Sequence, residues 1–285
     1  KKIISTDGFA KEIIIEDTNT KKIKKIDVNN LIISAGPTQT PNLILNNNLA
    51  KNVNPLNFHL NLKILCFYKD KMDCHKSSLI THHVREFEKD GVLFMSSSYI
   101  KSLIASYMNF QETKKINHLI DKFVNGTVFN CQIKPEHSFA YIKKTFFNDK
   151  IKISWSLHEQ DFLKIKKYLK ILTELVFISG AKEILLPIEN KSNFCKNIDE
   201  AFKEIDNLKK KYLELTSVHA MSSCSMDSDE KNIINNFALL RNFKNIHILD
   251  TSILPSNTGQ HPQLTTMATV RKLIKKNINN KNFNI

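Results

Sequence analysis

The 285-residue chain is 41% hydrophobic and 25% charged, the balance of a folded globular protein with material for one large domain or two ordinary ones. Its formal charge of +14 is carried almost wholly by scattered lysines, and the three arginines Arg85, Arg241 and Arg271 are too few for a nucleic-acid surface, where phosphate and base edges favour the guanidinium fork. Six glycines, none of them in a G-x-G-x-x-G or other phosphate loop, exclude a self-contained dinucleotide site, and the absence of an 18-residue apolar run argues against a membrane span.

Five cysteines without a C-x-x-C pair point to a reducing compartment and so to a cytoplasmic location. The opening Lys1-Lys2-Ile3-Ile4 has neither an initiator Met nor the apolar stretch of a signal peptide, so a preceding segment is expected.

Extended segments are expected at Ala10 to Ile15 and Ile23 to Ile33, both β-branched and bounded by polar turns. The second runs into Ser34-Ala35-Gly36-Pro37, a tight turn, after which Pro41 is placed to open a helix as its first residue. From 55 to 157 the pattern becomes short strands, Leu60 to Phe67, Val92 to Ser96, Ser138 to Tyr141 and Lys152 to Leu157, with a helix at 116–123 between them. Asp161 to Ser179 repeats apolar residues at helical spacing and ends at Gly180, a good residue just beyond a helix. A more polar helix is expected over Ile198 to Leu213. Near the end, the strand Ile246 to Leu249 stops at Asp250-Thr251-Ser252, a turn-rich loop covers Pro255 to Gln260, and a helix begins with His261 as cap and Pro262 as first residue.

Three segments in this order resemble the glucose-methanol-choline (GMC) oxidoreductases: Asn30 to Pro41, with its strand and Ala-Gly turn; Ser217-Val218-His219-Ala220-Met221-Ser222-Ser223-Cys224-Ser225-Met226; and Ile248 to Ala268, where Asp250, Ser252, Pro255, Gly259 and His261-Pro262 recur at the family's offsets. The match covers the family's C-terminal half. Two family glycines are replaced, by Ser222 and Asp227, and residues 55–150 match poorly.

The resemblance implies a mixed α/β (α+β) fold: residues 1–54 and 214–285 forming part of an FAD-binding, Rossmann-like domain, and 55–213 an antiparallel-sheet substrate domain covered by helices. It implies FAD as cofactor and oxidation of a CH-OH group in a small alcohol, with His219 and His261 as the catalytic residues. Ala35, Gly36, Asp250, Thr251, His261, Pro262 and Gln263 are then the cofactor-binding positions, completed by an N-terminal FAD-binding segment from the same or a separate chain. No metal is implied, because Cys74, His75, His82 and His83 lack the spacing of a zinc site. The chemistry is consistent: a histidine near its unperturbed pKa is neutral at pH 7 and able to accept a hydroxyl proton. The rival expectation is a non-catalytic relative that survives as a binding or assembly subunit.

Overall fold

The computed structural model describes residues 2–76, 82–97, 99–101, 117, 119–145, 150–189, 193–227, 232–280 and 283. The helix expected at 116–123 lies partly outside these residues. In chain order the strands and helices are β1 (Lys2–Thr6), β2 (Phe9–Glu16), β3 (Ile23–Asp27), β4 (Leu31–Ile33), α1 (Gly36–Asn46), β5 (Asn57–Phe58), β6 (Leu60–Phe67), β7 (His83–Val84), β8 (Val92–Ser96), β9 (Gly126–Ile133), β10 (Ala140–Lys144), β11 (Ile151–Trp155), α2 (Glu159–Ile178), β12 (Glu183–Leu185), β13 (Phe194–Cys195), α3 (Ile198–Asn207), β14 (Ala220–Met221), β15 (Ile246–Ile248) and α4 (Pro262–Asn279). They form two compact units, one of Lys1–Phe58, Phe139–Ser156 and Val218–Ile285, the other of His59–Ser138 and Leu157–Ser217.

The first unit holds the antiparallel meander β1-β2-β3 and the parallel pair β4-β15. Asn245 joins them. Its Oδ1 accepts from the Ala10 amide and its Nδ2 donates to the carbonyls of Ala10 and Asn29, both at 2.8 Å. The extended run expected over Ile23 to Ile33 is two strands, because the chain turns after Asp27 and the Val28 amide bonds back to Lys11 rather than onward along a ladder. The core beneath gathers Ile33, Ile44, Cys224, Ile246, Ile248 and Ile253, all nearly inaccessible to solvent.

The α1 helix begins a turn earlier than Pro41 suggested, at Gly36, whose φ of +84° is the left-handed conformation that glycine tolerates. Pro37 takes the early position where no amide hydrogen is needed, and Pro41 falls inside the helix. Four residues apart, the two prolines leave the Pro37 carbonyl without its helical donor. The Ser223 hydroxyl supplies one at 2.6 Å.

The second unit is a six-stranded sheet ordered β13-β12-β6-β9-β8-β7, antiparallel throughout. Successive side chains on β6 alternate between its faces. Leu62 stands opposite Cys131, which in turn stands opposite Phe94, and Phe94 packs against Tyr168 of α2 with ring centroids 6.5 Å apart, so this face is the one α2 covers. Asn61, Lys63, Leu65 and Phe67 point the other way. The α2 helix starts where Asp161 accepts hydrogen bonds from the amides of Glu136 and His137 and from the Ser138 hydroxyl, and it stops at Gly180, with φ +101° as expected beyond a helix end. The α3 helix is shorter than expected. After Asn207 the backbone turns extended at Leu208, which is buried, and only a short turn of 3-10 helix follows at Lys210–Tyr212.

Among the described residues no helix is long and apolar enough to cross a membrane.

Candidate active site

His219 and His261, 42 residues apart in sequence, meet edge to face, their ring centroids 4.9 Å apart and their planes at 89°. Both are held from β5. One residue after His219, β14 pairs antiparallel with it, Ala220 opposite Phe58 and Met221 opposite Asn57. The loop before His261 hangs from the same strand: Asn257 donates from Nδ2 to the Phe58 carbonyl at 2.6 Å, and its Oδ1 accepts from the Gly259 amide at 2.9 Å.

A backbone ladder fixes the chain after His219. The amides of Ser222, Cys224 and Met226 donate to the carbonyls of Thr251, Ser252 and Ile253. Between them Ser222 adopts φ +70°, so serine here holds the left-handed turn that glycine favours, and its buried hydroxyl has no hydrogen-bond partner. Cys224 is wholly buried and its thiol is pushed up to about 12, chiefly by burial, which removes it as a nucleophile at neutral pH.

His219 is half-buried. Burial first, and the neighbouring His261 second, lower its pKa to about 4, so the ring is neutral at physiological pH. His261 precedes Pro262, which lies in the first turn of α4. No side chain caps that helix start, no acidic residue occupies its first turn, and Gln263 and Leu264 are exposed, so the positive end of α4 is open.

The structure places Asp250 and Thr251 in supporting positions. Asp250 Oδ2 accepts from the Gly36 amide at 2.9 Å and from the Thr40 hydroxyl at 2.5 Å, while Oδ1 accepts from the Ser252 amide at 2.7 Å, tying the start of α1 to the end of β15. The Thr251 hydroxyl meets that of Thr266 at 3.2 Å, and Thr266 bonds back to the Pro262 carbonyl at 2.8 Å, which braces the first turn of α4. Ala35 is exposed at the start of α1, and a Cβ on Gly36 would project into open space. Ser223 and Asn257 were not singled out from sequence. Their partners are carbonyls far along the chain, which no local pattern announces.

Comparison with known proteins gives the same frame. The sequence profile of the GMC oxidoreductases matches residues 143–269. An uncharacterized GMC-type oxidoreductase of Sinorhizobium fredii is 23% identical over 84% of the chain and 47% of its own length, and one of Mycobacterium tuberculosis is 21% identical over 84% and 38%. The chain belongs to the GMC oxidoreductases. It spans less than half the length of these two curated relatives.

The fold of this GMC chain is also that of solved structures. A pyridoxine 4-oxidase from Mesorbium loti superposes with a TM-score of 0.69 at 10% identity, covering 96% of this chain and 56% of that one. An Aspergillus oryzae formate oxidase, described for modification of its FAD, gives 0.65 at 11% identity, covering 96% and 59%. The family is one of flavoprotein oxidoreductases, and the mixed α/β architecture with its antiparallel sheet is theirs.

Proposed function

We propose that the complete protein is an FAD-dependent oxidoreductase acting on a CH-OH group, with His219 accepting the hydroxyl proton and His261 hydrogen-bonding the substrate oxygen. The observation that carries this reading is the edge-to-face histidine pair at the open start of α4. A neutral imidazole is the form that accepts a proton, and burial keeps His219 in that form. His261 sits where an oxygen gaining negative charge would also feel the positive end of the helix.

The residues present fit a flavin. The start of α4, with Pro262 and Gln263, is uncapped and free of acidic groups, and so suits the edge of a ring that gains negative charge. Ala35 and Gly36 leave room for close backbone approach. In this reading Asp250 and Thr251 serve the cofactor through the helix starts they hold. A bound flavin supplies the hydride acceptor. The phosphate loop has no counterpart in these 285 residues, so a further segment, in the same or a separate chain, completes the FAD site.

A visible absorption spectrum of the chain expressed with its natural upstream sequence tests this. Flavin bands that bleach on adding an alcohol support the oxidoreductase, whereas a folded, colourless protein overturns it in favour of a binding or assembly subunit. In the flavin-loaded protein, His219→Ala is expected to cut turnover at least about 100-fold with the flavin retained.

A further inference from the structure

The second unit contains a cavity of about 20 Å³ on the sheet face opposite α2. That volume admits one water-sized group. Its walls are chemically divided: Asn61, Lys63, Glu214 and Thr216 line one part, and leucines with Pro187 line the rest.

Two polar atoms in this lining are buried and have no hydrogen-bond partner, Asn61 Nδ2 and Glu214 Oε1. Asn61 is only 3% exposed, and a buried polar group is rarely left in that condition. One atom is a donor and the other an acceptor. Both are held in place. Asn130 donates to Asn61 Oδ1 at 2.9 Å, which fixes the amide with its nitrogen free. The backbones of Asn61 and Thr216 exchange two hydrogen bonds, and two residues earlier the Glu214 amide is anchored to the Pro187 carbonyl.

Charge of either sign is disfavoured there. Burial first, and Glu189 second, push the Glu214 carboxyl up to about 7, and burial lowers the Lys63 ammonium. A neutral group is the natural occupant.

We propose that this cavity binds the hydroxyl of a small neutral aliphatic alcohol, the O–H donating to Glu214 Oε1 and the oxygen accepting from Asn61 Nδ2, with the carbon chain against Leu185 and Pro187. A hydroxyl offers one donor and an acceptor on a single atom, which matches the two orphaned groups. The site needs no flavin and lies within one unit, so it goes beyond the oxidation reading and stands or falls separately.

The side-chain amide resonance of Asn61, followed by NMR in the full chain, tests it, with 1-butanol as probe and methyl propyl ether as the isomer lacking an O–H. A saturable shift with butanol is expected, with the ether binding at least about tenfold more weakly and Glu214→Ala weakening butanol to a similar extent. Asn61→Ala, followed at the Thr216 backbone amide, is expected to match. If that variant unfolds, Glu214→Ala, altering a half-buried side chain, decides alone. No saturable shift, equal affinity for both isomers, affinity unchanged by Glu214→Ala, or a resident water that butanol fails to displace would each overturn the proposal.

Discussion

Asn257 donates to the carbonyl of Phe58 across 199 residues of chain, and Phe58 stands opposite Ala220, the residue that follows His219. The two histidines are therefore suspended from one two-residue strand. Removing the amide in Asn257→Ala leaves the buried Phe58 carbonyl unpaired and frees the loop leading to His261. Stability is expected to fall by about 1–3 kcal/mol, measured by urea denaturation. Unaltered stability would show that the loop is held by other contacts.

The His219 ring should titrate far below an ordinary histidine. Its folded pKa of about 4 lies under the unfolded value, so the folded state binds fewer protons between about pH 4 and 6.5, and stability drops as pH falls through that window. In the flavin-free chain the His219 ring resonance is expected to show an inflection near 4. Removing the neighbouring charge in His261→Asn moves it upward, while the larger effect of burial persists.

Ser222→Gly is expected to stabilise the protein. The φ of +70° costs a non-glycine residue about 1–2 kcal/mol, and the serine hydroxyl is buried without a partner, so both penalties disappear together. Glycine's greater freedom in the unfolded chain offsets part of the gain. A rise in melting temperature checks the sign.

Asp161 gives the opposite pH behaviour from His219. Burial raises its carboxyl, yet the hydrogen bonds from Glu136, Ser138 and His137 outweigh this and hold it below the ordinary value. Stability from this group is fully present above the unfolded carboxylate pKa and is lost as pH falls through the folded one. Asp161→Asn should flatten that acid limb and lower stability at neutral pH.

Local grammar was readable where one residue decides a local event. Gly180 ends α2 and Pro262 opens α4 because each fits a single backbone position. The start of α1 was misjudged because Pro41 suits a first turn equally well, and only Ser223, 186 residues away, makes an interior proline tolerable there by serving the carbonyl it strands. The split between β3 and β4 depends likewise on the Val28 amide turning to Lys11. The replacement of a family glycine by Ser222 suggested an altered backbone, yet the left-handed turn is kept. The histidine pair was legible through its motifs. What supports it was not, since Asn257 and Asp250 act on partners that sequence spacing does not connect.

The strand that suspends both histidines also sets when they can meet during synthesis. Ribosomes add roughly 5–20 residues per second, so the 199 residues between Phe58 and Asn257 take roughly 10–40 seconds to appear. Through that interval β5 waits without either of its tenants, and the nascent chain acquires its catalytic geometry only as the last helix leaves the ribosome.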